Sequence, residues 1–394
     1  MPTVRGWAAL GAAVAFALAW VGFGEQLLLA AAAFLAITVV VGVLWVRRSA
    51  PGVAVARQVI PLQVFDGDHA VVTVTLHVER DLSHVTVGDT VHDLGTAQFA
   101  ADRAIPGDPL IGRYEVVCHP RGVYQVGPTD VRVRDPFGMA ETAVQAGTID
   151  RLVVYPRFEE LEGLPMVRGQ DPNVATSRTR FSQTGGEDFF TLRDYEDGDD
   201  LRKVHWPSSA KRDKLMIRQL EMPWQSRALI VLDPETSNYP DQGVFEHAVK
   251  GAASVVHHFY RSGFSPTLWT GRPEAVTVGT ADRYNLAMQD LATVNPIEGA
   301  DLRNAIGRIR QRGIAGGALV LITGSPGESH LALYRTLGAD YTRTLVLAVT
   351  DEANEAIGRF RRGGVLTVVT GRTGHWAAAW REAMESSWAT ATRR

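Results

Sequence analysis

Residues 227–233, Arg-Ala-Leu-Ile-Val-Leu-Asp, decide the fold of the larger part of this chain. Residues 228–232 are an unbroken apolar run closed by Asp233. A strand reads this way when helices cover both of its faces, and such strands belong to parallel sheets. Further apolar runs stand at 267–270, 318–323, 344–349 and 365–370. Helical periodicity separates them at 245–259, 283–292, 302–311, 331–337 and 375–388. In the first of these, Val249, Ala252, Ala253, Val256 and Phe259 fall on one face. The alternation predicts a doubly wound α/β domain over 225–394. Just upstream, 215–220 reads as a strand entering that domain.

N-terminal to it the pattern has period two. Val72, Val74, Leu76 and Val78 alternate, as do Tyr114, Val116 and Cys118, then Val131 and Val133. Turn residues punctuate these runs, among them Asp66-Gly67-Asp68 and Pro106-Gly107-Asp108. A β-sandwich-like domain is expected over 50–156, with an extended connection over 157–183. Earlier still, 7–23 and 27–46 carry no charge, and each approaches the roughly 20 residues a helix needs to cross a bilayer. Only Gly24, Glu25 and Gln26 part them, so residues 1–49 read as a transmembrane helical hairpin. Arg5 precedes the first run and Arg47-Arg48 follow the second. The excess of basic residues places both ends on the cytoplasmic side of the cell (inner) membrane, with the soluble domains. The fold class is thus α+β multidomain: hairpin, β-sandwich-like domain, then α/β domain.

Between the β and α/β patterns lies the densest mixture of aromatic, acidic and basic residues, at 184–224. Asp194, Glu196, Asp197, Asp199 and Asp200 form an acid run, and Arg202, Lys203, Lys211, Arg212 and Lys214 a basic one, with His205-Trp206 between them. The acid run lacks the closing Glu and the Gly position of an EF-hand loop. A structural role is expected for His205 and Trp206, packing the turn against the sheet. A guanidinium holds a phosphate or carboxylate in a fork, so Arg193, Asp199, Arg202, His205, Trp206 and Arg212 are the expected partner or anion contacts. The competing reading is an enzyme of unspecified reaction around Asp199, Arg202 and His205, histidine being suited to proton transfer near neutrality. No nucleophile elbow accompanies them, and no catalytic residue is assigned. The segment Gly324-Ser325-Pro326-Gly327 lacks a P-loop lysine. A net charge of -3 argues against nucleic acid as a partner. The single cysteine, Cys118, excludes an intramolecular disulfide and a CxxC zinc site.

Two stretches resemble the domain-of-unknown-function 58 family. The first is Arg121-Gly-Val-Tyr124 with Asp135-Pro-Phe-Gly138 and Val154-Tyr-Pro-Arg157. The second runs through Gly186-x-Asp188-Phe189, Leu192-Arg193-x-Tyr195, Gly198-Asp199, Arg202, His205-Trp206, Ser209-Ala210 and Leu215. The resemblance implies a von Willebrand factor A-like C-terminal domain and a MoxR-type AAA+ ATPase as partner, with other envelope membrane proteins. It also raises a metal site, because von Willebrand A domains can hold Mg²⁺ at strand ends through Asp-x-Ser-x-Ser. Here Asp233-Pro-Glu-Thr-Ser237 puts Glu235 at the first Ser, and 323–325 offers Thr-Gly-Ser where an Asp is expected. Asp233, Ser237 and Thr323 would be the ligands; the departures argue for no cofactor and against a metal-dependent binding module. The expected function is a membrane-anchored cytoplasmic scaffold or interaction protein, held in lipid through residues 7–46 and working with the ATPase in assembly or maturation of an envelope complex.

Overall fold

The computed structural model describes residues 1–49, 52–163, 190–194, 204, 206–212, 214–220, 227–300, 302, 317–351 and 354–391. Two compact units divide the chain, Met1–Pro156 and Arg157–Arg394.

The first unit opens with two helices, α1 (Val4–Phe23) and α2 (Gln26–Ser49). Both are long and apolar enough to cross a membrane. Thr3 caps α1, its Oγ1 accepting from the Gly6 N–H at 3.1 Å. Gly24 ends α1 at φ 73°, a left-handed conformation that glycine adopts without steric cost. Arg47 and Arg48 lie in the last turn of α2, where positive charge offsets the helix dipole. Val14, Leu18 and Val21 on α1, and Leu27, Phe34 and Leu44 on α2, stay exposed.

Ten strands follow: β1 (Val53–Ile60), β2 (Gln63–Phe65), β3 (Asp68–Val78), β4 (Leu82–Val91), β5 (Gly95–Ala104), β6 (Leu110–Cys118), β7 (Gly122–Val126), β8 (Thr129–Arg134), β9 (Glu141–Ala146) and β10 (Asp150–Tyr155). They form one sheet of order β1-β3-β6 and a second of order β2-β10-β7-β4-β8-β9, with β5 paired to β4. Alternate residues turn to a core shared by both sheets: Val72, Val74 and Leu76 from one, and Val85, Val131 and Leu152 from the other. Cys118 is fully buried there. One charged group lies within this apolar frame. The Arg57 guanidinium on β1 is fully buried and meets Asp89 on β4 at 2.6 Å and Asp150 at 3.2 Å. Asp89 also accepts from Tyr114 Oη at 2.7 Å and Thr129 Oγ1 at 2.7 Å. Every member is paired, as a buried ionic network must be to hold.

The hairpin is joined to this domain by main-chain bonds. Thr3 N–H donates to Met139 O at 2.9 Å, Glu141 N–H to Met1 O at 2.9 Å, and Thr3 Oγ1 to Gly138 O at 2.6 Å. Trp45 of α2 packs against the core of the two sheets.

In the second unit, β11 (Phe190–Asp194) and β12 (Met216–Leu220) form an antiparallel pair of their own. The expected strand at 215–220 is therefore present but joins β11 and not the main sheet. A short helix, α3 (Trp206–Arg212), lies between them in sequence. The main sheet comprises β13 (Arg227–Leu232), β14 (Ser265–Trp269), β15 (Val276–Thr277), β16 (Ala318–Thr323), β17 (Arg343–Val349) and β18 (Leu366–Thr370). Their order is β15-β14-β13-β16-β17-β18, parallel except for β15. Helices α4 (Gln242–Arg261), α5 (Ala281–Thr293), α6 (Glu328–Leu337), α7 (Glu355–Arg362) and α8 (Trp376–Ala391) connect and follow them. Leu229, Val231, Leu319 and Leu321 pack on the α6 and α7 side with Leu333 and Phe360. Fully buried Phe245, Val249 and Phe259 of α4 lie outside that cluster. The expected helix at 302–311 lies outside the described residues except for Leu302.

Residues 157–163 run as a strap over α4 and α8. Glu159 is its anchor, accepting from the Ala377 N–H at 2.9 Å and pairing with Lys250 at 2.7 Å. Burial alone would raise the Glu159 carboxyl, but these donors hold it below its ordinary value. Phe158 stacks on His257 with ring centroids 3.9 Å apart, and Gly163 O accepts from His258 Nε2 at 2.8 Å and Trp380 Nε1 at 3.1 Å. Burial lowers the imidazoles of His247, His257 and His258 from 6.5. A histidine depressed on folding stabilises the protein above its unfolded value and destabilises it progressively as pH falls below that value. The Tm of this unit in the full chain, followed by tryptophan fluorescence, is expected to be level above about pH 7 and to fall as the pH is lowered through about 6.5. His257→Phe with His258→Gln should flatten that fall.

Candidate functional site

The site is built where the sheet order reverses. β13 and β16 are neighbours in the sheet although β14 and β15 come between them in the chain. The connections leave them on opposite sides, and the crevice at their C-terminal ends is where open α/β sheets place polar groups and ligands. Asp233 follows β13 and Thr323 ends β16. Both are fully buried.

Four donors converge on the Asp233 carboxylate. Oδ1 accepts from the Glu235 N–H at 3.0 Å. Oδ2 accepts from Asn238 Nδ2 at 2.7 Å, Thr323 Oγ1 at 2.9 Å and His330 Nε2 at 2.8 Å. The Asp233 carbonyl takes a further bond from Tyr239 Oη at 2.5 Å. Burial, with Asp233 nearby, pushes that phenol well above its ordinary range. The site therefore draws on β13, the loop after it, the end of β16 and the first turn of α6.

His330 is the member that sequence reasoning missed. It stands 97 residues from Asp233 and has no exposed side-chain surface. Its Nδ1 accepts the Gly327 N–H at 3.0 Å, so the ring proton resides on Nε2 and points at Asp233. Ser329 Oγ lies 3.3 Å from the same Nδ1. An Asp-His-Ser series is present in outline, but the Nδ1 lone pair that would activate a hydroxyl is already directed at a backbone N–H. The only advance signal was the Gly-rich turn at 324–327 before a helix, which places its first residues over the strand ends.

The expected metal ligands divide. Asp233 and Thr323 come together, while Ser237 is exposed and its N–H turns to Glu235 Oε1 at 3.3 Å. Asn238 Nδ2 and His330 Nε2 present protons to the carboxylate, whereas a hard cation requires oxygen lone pairs. This donor set does not fit Mg²⁺. Among the described residues no group of three or more His, Cys, Asp or Glu could hold a metal ion. The rim is cross-tied: Asn354 Nδ2 donates to Ser325 Oγ at 3.1 Å and Pro326 O at 3.0 Å, and Arg372 pairs with Asp241 at 2.5 Å.

The expected partner contacts fall in three groups. Asp199, Arg202 and His205 lie outside the described residues. Arg193 is on β11, opposite Ile217 of β12, and Arg212 ends α3. Trp206 begins α3 and is 66% exposed, so it does not pack against the sheet as the sequence suggested. Within α3, buried Ser209 Oγ accepts the Met216 N–H at 2.9 Å. Leu215 is 38% exposed, and Lys211 and Lys214 are also exposed.

Residues 191–385 match the family described as protein of unknown function DUF58. The match takes in β12, α3 and the Asp233 crevice. An uncharacterized protein of Bacillus subtilis (strain 168), YeaD, is 26% identical over 219 residues, which cover 53% of this chain and 53% of that protein. The alignment thus spans about half the length of that curated relative. Among solved structures, the complex of zinc 2-glycoprotein with prolactin inducible protein from human seminal plasma gives a TM-score of 0.20 at 14% identity, covering 26% of this chain and 93% of that one. Spo0M, a sporulation control protein from Bacillus subtilis, gives 0.18 at 16% identity, covering 26% and 49%. Neither likeness carries an argument about fold.

Removing the Asp233 carboxylate would leave the buried donors of Asn238, Thr323 and His330 without an acceptor. Asp233→Ala should destabilise the second unit by at least about 3 kcal/mol. Asp233→Asn, which keeps one acceptor oxygen, should cost less. Urea unfolding of the detergent-solubilised full chain measures both.

Proposed function

We propose that this chain is a membrane-anchored interaction protein whose second unit presents a docking face to a MoxR-type AAA+ ATPase. In this reading α1 and α2 span the cell membrane, and both termini and the soluble units are cytoplasmic. The second unit is a von Willebrand factor A-like domain that works without a bound cation. The complex serves assembly or maturation of an envelope complex.

The observation that carries the reading is Trp206, a large aromatic side chain left 66% exposed in the segment that carries the family resemblance. An exposed tryptophan suits an interface anchor, since tryptophan concentrates binding energy where it is desolvated by a partner. Lys211 and Lys214 suit an acidic surface on that partner. The cation-independent form is supported by the four donors already on Asp233. The von Willebrand A-like assignment is supported by the sheet order, with its single antiparallel strand beside β14. The choice of ATPase rests on the family resemblance. The enzymatic alternative gains nothing from the Asp233 crevice, where the histidine nitrogens are both engaged.

The test is a pull-down from detergent-solubilised membranes with wild type and Trp206→Ala. The wild type should retain an AAA+ ATPase in the presence of EDTA, and the variant should lose it at least roughly ten-fold, as loss of one interface anchor implies. An unchanged Tm confirms that exposed Trp206 is dispensable for folding. Equal capture by both proteins would remove this face from the interface, and dependence on Mg²⁺ would overturn the cation-independent reading.

A further inference from the structure

The first unit carries a second surface, at the end of the hairpin where α1 begins and α2 ends. There the turn Asp135-Pro136-Phe137-Gly138-Met139-Ala140 is seated on both helices. A Cβ added to Gly6 of α1 would lie 2.1 Å from Met139 O, and one added to Gly42 of α2 would lie 3.1 Å from Asp135 Cγ. The two glycines are therefore the places where the turn reaches the helices.

Both glycines stand far from the connection between the helices. At 1.5 Å per residue, Gly6 is about 26 Å from the end of α1 at Phe23, and Gly42 about 24 Å from the start of α2 at Gln26. A bilayer hydrocarbon core is about 30 Å thick. With the Gly24-Glu25 connection at the far side, the near boundary of the hydrocarbon falls at or beyond Gly6 and Gly42. A turn seated on those glycines cannot remain in bulk water.

The turn is built for that depth. Its buried Asp135 carboxylate accepts from the Phe137 N–H at 3.0 Å and the Ala140 N–H at 2.5 Å. The Gly138 N–H donates to Asp135 O at 2.9 Å, and the Gly138 carbonyl accepts from Thr3 Oγ1. These backbone groups are thereby satisfied internally, as a low-dielectric layer demands. Phe137 meanwhile is 62% exposed. Exposed cations gather at the same end: Arg5 in the first turn of α1, Arg47 and Arg48 in the last turn of α2, and Arg80, whose Nη1 donates to Arg48 O at 3.0 Å.

We propose that the Asp135–Ala140 turn of the β-domain is a membrane-docking element, with Phe137 in the acyl-chain boundary and Arg5, Arg47, Arg48 and Arg80 at the phospholipid phosphates. The first unit is then seated on the bilayer and not suspended from it. The inference rests on the reading that α1 and α2 span a membrane.

The test uses the full chain reconstituted in phosphatidylcholine–phosphatidylglycerol vesicles. Because Cys118 is fully buried, an introduced exposed cysteine is the one labelled in the folded protein. Spin labels are placed by Phe137→Cys, by Pro136→Cys as a second exposed position in the turn, by Val14→Cys midway along α1 and by Ile111→Cys on the outer face of β6. Collision with O₂ and with a water-soluble nickel chelate is then compared. Labels at 137 and 14 should both favour O₂, and the label at 111 should favour the chelate. The proposal is overturned if 136 and 137 behave like 111 while 14 stays in lipid. If 14 also reports water, the spanning reading itself fails, and the docking element fails with it.

Discussion

The Asp233 carboxylate is the constraint on which the second unit depends. It lies fully buried at the end of a central strand, where an unpaired charge would cost several kcal/mol. Its donors come from three separate parts of the chain: the loop after β13, the end of β16 and the start of α6. Satisfying one carboxylate therefore fixes the register of two strands, the entry angle of a helix and the path of the loop holding Tyr239. An imidazole N–H and an amide help bring these elements together. The polar groups of the crevice are thus engaged with one another, whereas Trp206, Lys211 and Lys214 are exposed.

The first unit repeats this economy with different groups. Arg57 and Asp89 join its two sheets from within, and the hairpin is tied to it by the paired main chain of residues 1–3 and 139–141. In both units a buried ionisable group with every partner in place sets the geometry, and the apolar core fills around it. Exposed apolar side chains remain on the helices and on Phe137 in one unit, and on Trp206 in the other.

Much of this fold was legible because its signals are local. The run 228–232 read as a strand covered on both sides and is β13, and the charge-free stretches at 7–23 and 27–46 matched α1 and α2 closely. The strand at 215–220 was found, but its pairing with β11 was not read, since alternation says nothing about which edge a strand will join. Helix α7 went unread because its apolar residues, Ala356, Ile357 and Phe360, occupy only eight positions rich in arginine. The candidate site was legible by half. Asp233 and Thr323 were placed at strand ends by pattern, but His330 lies 97 residues away and is one ordinary residue of a short amphipathic helix. Long-range convergence of this kind leaves no spacing to read. Gly6 and Gly42 are similarly mute, being two small residues among many in apolar helices.

His330 closes the Asp233 crevice as a hydrogen-bond donor through Nε2. Nitrogen-15 NMR of the histidine side chains in the detergent-solubilised full chain, with His330 assigned by its loss in His330→Gln, tests this directly. The imidazole is expected to be protonated at Nε2, with that proton protected from exchange and its shift unchanged by millimolar Mg²⁺. A proton on Nδ1, or a His330 resonance that moves on titration with Mg²⁺, would contradict it.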